Sequence, residues 1–353
     1  MSQGSTPLSA VLPAPSFSSA PPHIKGGFKA WTELFKVRLN ALVLLTTGVG
    51  FYLAAEQPDW AAFGWTMLGT ALTAFAASGI NQFMEIERDA CMPRTMKRPL
   101  PAKLISRSAA LSAAVSLAVL GPLVLALLVN WLAAGLALSC LLLYVFIYTP
   151  LKTRTSLNTL VGAVVGAVPP LVGWAGAAGR LELGAAVLGG ILFIWQIPHF
   201  LALAWMYREQ YAKGGFRMLP HSDATGLKTC QAILIYSMAL LPVSLLLAGA
   251  GVVGLRYAVG ALVLGAVMLA FAFQMYGACE RTTARRLFLC SVIYLPLLLA
   301  LMVLDRTPSS RYRFELFRAP PGARFPDNRP VTEPAPSAGP NSDTSSASQD
   351  TAR

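Results

Sequence analysis

The stretch Ala109-Ala-Leu-Ser-Ala-Ala-Val-Ser-Leu-Ala-Val-Leu-Gly-Pro-Leu-Val-Leu-Ala-Leu-Leu-Val129 runs from end to end without a charged side chain. About 20 apolar residues in a helix cross the ~30 Å hydrocarbon core of a bilayer. A helix lying on a soluble core would carry a polar face, and this stretch has none. A second block, Gly184 to Ala204, reads the same way. The composition carries the reading to the whole chain. Of 353 residues, 55% are hydrophobic and 12% charged, and the mean hydropathy is +0.57. Soluble domains carry about 25% charged residues, and no single soluble core absorbs such an apolar excess. The expected fold class is therefore all-α, a polytopic membrane protein with about nine transmembrane helices.

The spans are expected near residues 40–55, 61–84, 108–129, 131–149, 158–178, 183–206, 229–250, 254–276 and 286–304. Lys and Arg collect in alternate connections. Lys25, Lys29, Lys36 and Arg38 precede the first span, Arg88 to Arg107 follow the second, Lys152 and Arg154 the fourth, and Arg208 to Lys228 the sixth. The positive-inside rule then puts the N-terminus and these loops in the cytoplasm, with the tail outside a cell inner membrane. The net charge of +12 is spent on topology and anionic ligands, so no nucleic-acid partner is expected. The five cysteines show no CxxC or metal-ligand spacing and read as small apolar packing residues. Residues 1–28 lack the charged start and apolar core of a signal peptide and read as a disordered lead. Residues 29–305 form the transmembrane domain, and residues 306–353, rich in Pro, Ser and Asp, read as a disordered tail.

The connection after the second span carries the chemistry: Asn81-Gln-Phe-Met-Glu85-Ile-Glu-Arg-Asp89-Ala-Cys-Met-Pro-Arg94-Thr-Met-Lys97-Arg98-Pro-Leu-Pro101. Asn81, Glu85 and Asp89 are four apart, so on a helix they line one face. Mg²⁺ takes one or two carboxylates, waters and substrate phosphate oxygens, so three such oxygen ligands suit a diphosphate site. Arg94, Lys97 and Arg98 follow within reach of the phosphates. The plain alternative is a solvated helix end, which the regular spacing beside a basic run disfavours.

This segment resembles the first acidic motif of the UbiA-type intramembrane prenyltransferases, in the form found in their protohaem IX farnesyltransferase (haem O synthase) branch. Two more segments resemble that branch: Tyr148-Thr-Pro-Leu-Lys152 to Asn158 running into Gly162, Gly166 and Gly173, and Trp195-Gln196-Ile-Pro198-His199-Phe200 followed by Arg208-Glu209-Gln210-Tyr211. The resemblance spans about residues 30 to 304. It implies Mg²⁺-assisted ionisation of farnesyl diphosphate and transfer of the prenyl group to a vinyl group of haem B, in a central intramembrane cavity that the helices surround. It assigns Lys152 and Arg208 to the diphosphate, Glu209 to a second metal position, and Trp195, Gln196 and His199 to the haem. The implied protein partners are a haem A synthase or terminal oxidase assembly factors.

Read from the residues alone, Lys152 meets a diphosphate or snorkels to the interface. The three glycines serve close helix packing. His199, in an apolar block, either meets a ligand, including as an axial ligand to iron, or braces its span by a hydrogen bond. Related sequences commonly read REDY or KDDY where this chain has Arg208-Glu209-Gln210-Tyr211, so Gln210 replaces a carboxylate. An amide keeps the carbonyl oxygen and loses the charge, which leaves Glu209 and Asp223 as the acidic candidates for a second cation. His221, in a charged loop, reads as solvated. Two rivals remain at this stage. A prenyltransferase with an aromatic acceptor shares the first motif but not the case for haem from His199 and Glu85. An ion-coupled transporter would need matched broken helices, and the ionisable residues here cluster at one face.

Overall fold

The computed structural model describes residues 27–307 and the strand Glu315–Arg318. The expected lead at 1–28 lies almost wholly outside the described residues, as does most of the tail. Among the described residues nine helices are long and apolar enough to cross a membrane. They are α1 Val37–Ala54, α2 Trp60–Met84, α3 Arg107–Leu128, α4 Trp131–Leu151, α5 Asn158–Ala178, α6 Leu183–Met206, α7 Leu227–Gly249, α8 Leu255–Gly277 and α9 Arg281–Leu304.

Side-chain caps set several boundaries. Asp59 accepts from the amides of Ala61 and Ala62 to start α2, Ser106 caps α3, and Asn130 Oδ1 accepts from Ala133 N at 2.8 Å to start α4. Each cap satisfies amides that a helix start leaves orphaned. α9 begins at Arg281, five residues before the expected start, because Glu280 and Thr283 form a capping box ahead of its arginines. Pro150 does not end α4. The helix widens to a π-turn over Leu143–Tyr148, and Thr149 Oγ1 donates to the Tyr144 carbonyl at 2.8 Å.

α2, α3 and α4 pack in sequence and α4 rests on α5, which also packs along α1. α6 joins α5 to a second group, α7, α8 and α9, and α9 returns to touch α1. The α1–α5 contact is backbone to backbone. A Cβ at Gly173 would overlap the carbonyl of Thr47, and one at Gly50 that of Pro170. Gly162 and Gly166 serve close packing of another kind, making room on α5 for the Tyr148 ring of α4 and the Gln196 amide of α6. Between the groups lies a cavity of about 420 Å³, lined by α1, α2, α4, α5, α6 and α9.

Two expectations are corrected. Cys230 and Cys279 form a disulfide between the start of α7 and the loop after α8. The two cysteines are 49 residues apart, and only the antiparallel pairing of α7 and α8 brings them together. The tail contains Glu315–Arg318, which pairs antiparallel with Arg180–Glu182, so that part of 306–353 is ordered.

Candidate active site

α2 ends at Met84, and a five-residue helix, Ile86–Ala90, follows Glu85. The four-residue repeat survives this break, because Glu85 N bonds to Asn81 O and Asp89 N to Glu85 O. Asn81, Glu85 and Asp89 are all buried, at 0%, 3% and 1% exposure. Buried carboxylates need partners, and each motif residue has its own cation. Lys36 Nζ donates to Asn81 Oδ1 at 2.8 Å, Lys152 Nζ to Glu85 Oε1 at 2.9 Å, and Arg98 Nη1 to Asp89 Oδ2 at 2.6 Å. Three oxygen donors thus face three positive charges, one each. This hard-oxygen donor set suits Mg²⁺, and the cations now stand where metal charge would fall.

Lys36 is the partner that sequence reading missed. It sits at φ 48, ψ 46, in the left-handed region, where it turns the chain from the helix Phe28–Leu34 into α1. Burial, then the charges of Arg98 and Lys152, bring its pKa down to about 7. A lysine before an apolar block reads as a topology signal, so nothing in its position marked it as a site residue. Thr149, whose hydroxyl lies 3.2 Å from the Asn81 amide nitrogen, was missed as well.

The connecting loops at this end interlock. Lys152 lies 4.7 Å over the Tyr148 ring, one turn back in the chain. Burial opposes its charge, but Tyr148 and Glu85 outweigh that and raise its pKa. The Lys152 carbonyl accepts from Arg217 N at 2.7 Å, and Asn158 Nδ2 donates to the Arg217 carbonyl. Arg94 donates to Tyr211 Oη at 3.1 Å and stacks against Tyr207 and Tyr211, which ties the first motif to the helix Arg208–Lys213.

The remaining nominated residues divide. Lys97 and Glu209 are exposed, and Arg208 is exposed with its guanidinium 4.7 Å over the Trp205 ring. Among the described residues no three His, Cys, Asp or Glu side chains converge, so Glu209 stands apart from Glu85 and Asp89. Gln210 Oε1 is buried with no hydrogen-bond donor. Asp223 caps α7, accepting from Thr229 N at 2.7 Å and Thr229 Oγ1 at 2.9 Å. Burial works against its ionisation, yet these bonds hold the carboxyl below its usual range. His221 is exposed, as expected.

Trp195, Gln196 and His199 all line the cavity, with Tyr144 and Tyr148 on the α4 side. The Gln196 amide nitrogen donates to the Leu192 carbonyl, and Trp195 Nε1 donates to the Ser291 carbonyl on α9 at 3.0 Å. His199 Nδ1 lies 2.8 Å from Ser291 Oγ. The bracing role expected of His199 is therefore present, and its ring also faces the cavity. Ser291 is a further residue that sequence reading passed over. A hydroxyl buried in an apolar span must bond to something, which was the signal available.

The UbiA prenyltransferase family profile matches residues 43–298. A protoheme IX farnesyltransferase of Solibacter usitatus is 43% identical over 78% of this chain and 98% of its own length. The mitochondrial protoheme IX farnesyltransferase of Homo sapiens is 43% identical, over 78% of this chain and 62% of its own. Among solved structures, a digeranylgeranylglyceryl phosphate synthase superposes with a TM-score of 0.68 at 17% identity, covering 78% of this chain and 97% of that one. A UbiA homologue from Archaeoglobus fulgidus bound to DMAPP and Mg²⁺ gives 0.59 at 13%, covering 77% and 99%. At these identities the structures speak for the fold.

Proposed function

The chain belongs to the UbiA prenyltransferase family and is a multi-pass membrane prenyltransferase, and from that premise we propose that it transfers the farnesyl group of farnesyl diphosphate to a vinyl group of haem B, giving haem O. The carrying observation is the set of three buried oxygen donors matched to three cations at one end of an apolar cavity whose wall includes His199. The names of its relatives support the acceptor.

In this reading Asn81, Glu85 and Asp89 hold Mg²⁺, as the bound metal of the archaeal homologue supports. Bound there, the metal neutralises charge on the departing diphosphate. Lys36, Lys152 and Arg98 exchange their motif partners for phosphate oxygens, so cationic charge already in place meets the leaving group. Arg94 keeps the loops closed over it, and Lys97 and Arg208 supply positive field at the rim. Gln210, through its unpaired oxygen, and Glu209 are the residues that would hold a second cation. Trp195, Gln196 and His199 form the haem side of the cavity. Its volume lies within the roughly 300–1,000 Å³ of ligand pockets, and its apolar lining keeps bulk water from the allylic cation. The net reaction consumes farnesyl diphosphate, haem B and one water, which supplies the new hydroxyl, and releases diphosphate.

The site end carries the excess of Lys and Arg, so it faces the cytoplasm across the inner membrane. Product would pass to a haem A synthase or oxidase assembly factor. Purified protein incubated with farnesyl diphosphate, haem B and Mg²⁺ is expected to yield haem O by mass spectrometry. Prenylation of 4-hydroxybenzoate with haem B untouched would overturn the proposal.

A further inference from the structure

We propose that His199 and Ser291 form an iron-ligating dyad: Ser291 holds His199 in the Nδ1–H tautomer, so that Nε2 presents a lone pair to the iron of a porphyrin in the cavity. The inference rests on the haem acceptor proposed above and adds to it the point of attachment and its positioning residue.

The proton inventory decides the tautomer. Ser291 Oγ donates its only proton to the Phe288 carbonyl at 2.6 Å, one turn back on α9. The same oxygen lies 2.8 Å from His199 Nδ1 and there has only lone pairs to offer. Nδ1 must therefore be the donor. In the neutral ring the proton then sits on Nδ1, and Nε2 is the Lewis base. No hydrogen bond to Nε2 occurs among the described residues, and His199 lines the cavity.

The ring is also fixed in direction. It stacks between Trp195, at 5.0 Å between centroids, and Phe288, at 4.8 Å. Trp195 is itself pinned by its indole bond to the Ser291 carbonyl. A single turn of α9, Phe288 to Ser291, thus sets the ring's tautomer, supplies one stacking partner and pins the other, Trp195 of α6. An imidazole whose second nitrogen donates to an oxygen, with its orientation locked, is the arrangement that metal-ligating histidines use. A histidine serving only to brace α6 needs no more than the Ser291 bond, whereas this one also lines the cavity and keeps Nε2 without a partner among the described residues.

The test is haem B binding without prenyl diphosphate, followed by absorption and resonance Raman spectroscopy, with metal-free protoporphyrin IX as the control. Wild type is expected to show a histidine-ligated spectrum and to bind haem at least tenfold more tightly than the metal-free porphyrin. His199→Ala loses both properties, and added imidazole restores the spectrum. Ser291→Ala weakens haem binding about 10-fold or more and leaves metal-free porphyrin unchanged, whereas Ser291→Thr, which keeps the hydroxyl, recovers it. A His199→Ala spectrum identical to wild type overturns the inference, and so does equal affinity for the two porphyrins. If haem O still forms in either case, the proposed function stands without the dyad. If haem binds through His199 but is never prenylated, the dyad stands and the function falls.

Discussion

Lys36 and Asn81, 45 residues apart, meet through a 2.8 Å hydrogen bond from the ammonium to the amide oxygen, in a site that also holds Lys152 and Arg98. The lysine reaches it from a left-handed backbone position, which costs an L-residue about 1–2 kcal/mol. Such strain persists only where the surroundings enforce it. Here it places a cation against Asn81, the first oxygen donor of the motif.

Lys36→Met is expected to weaken diphosphate binding more than tenfold, because the remaining two cations face a ligand with several negative oxygens. Lys36→Arg should recover part of the loss. The substitution also has a pH signature. The folded pKa of about 7 lies below the ordinary 10.5, so between these values the unfolded chain binds the extra proton. Stability attributable to this group therefore rises with pH across that window, by at most about 1.4 kcal/mol per unit, and is flat below it. Thermal unfolding of the metal-free protein from pH 6.5 to 9.5 should show the slope in wild type and not in Lys36→Met. Parallel curves would place Lys36 outside the charged cluster.

Glu85→Gln and Asp89→Asn should each lower turnover more than a hundredfold at saturating Mg²⁺, since both remove charge from the metal-binding oxygens. From the sequence, both changes look harmless to folding. The ion pairs alter that expectation, because each amide leaves Lys152 or Arg98 without its counter-charge. A stability loss of about 1–3 kcal/mol is expected in the metal-free protein, and added pyrophosphate should reduce it. Full activity in both variants would dismiss these residues as ligands.

The membrane spans were legible because about 20 uncharged residues have few alternatives in water. The motif spacing was legible because Asn81, Glu85 and Asp89 keep their register even across the break at Glu85. What the sequence hid is mostly a matter of partners. Lys36 and Arg38 look alike before an apolar block, and only the left-handed turn sends one of them to Asn81. Arg94 and Arg98 look alike within one loop, yet one clamps Tyr211 and the other holds Asp89. Ser291 is one hydroxyl in an apolar helix until α9 lies against α6. The Cys230–Cys279 bond needs α7 and α8 side by side.

Topology follows from the same charge pattern. Reporters fused after Arg98, Lys152 and Lys213 should report the cytoplasm, and one fused after Thr307 the outside. The disulfide bears on the same question, because Cys230 and Cys279 lie at the end that carries the site, and reducing cytosol keeps such pairs as thiols. Thiol trapping in intact cells should therefore find both cysteines reduced and the purified, oxidised protein bonded. Oxidised cysteines in cells, together with reversed reporters, would turn the molecule over in the membrane.

Gln210 offers a test whose outcomes differ in sign. Its Oε1 is buried without a donor, a costly state for an oxygen unless a cation reaches it. The neighbouring Arg94–Tyr211 contact shows that this short helix sits against the first motif. An amide oxygen there can ligate a cation but supplies no charge to neutralise it. Gln210→Glu is therefore expected to lower the Mg²⁺ concentration for half-maximal rate at fixed farnesyl diphosphate, with Gln210→Asp following if the shorter side chain still reaches. Exposed Glu209 is too well solvated to oppose the added charge strongly. A carboxylate that met only phosphate oxygens would repel them, raising the Mg²⁺ requirement and weakening diphosphate binding. Three overlapping titration curves would mean that the unpaired oxygen faces neither metal nor phosphate, and the second cation would then have to be held by water and substrate alone, since Asp223 is committed to the start of α7.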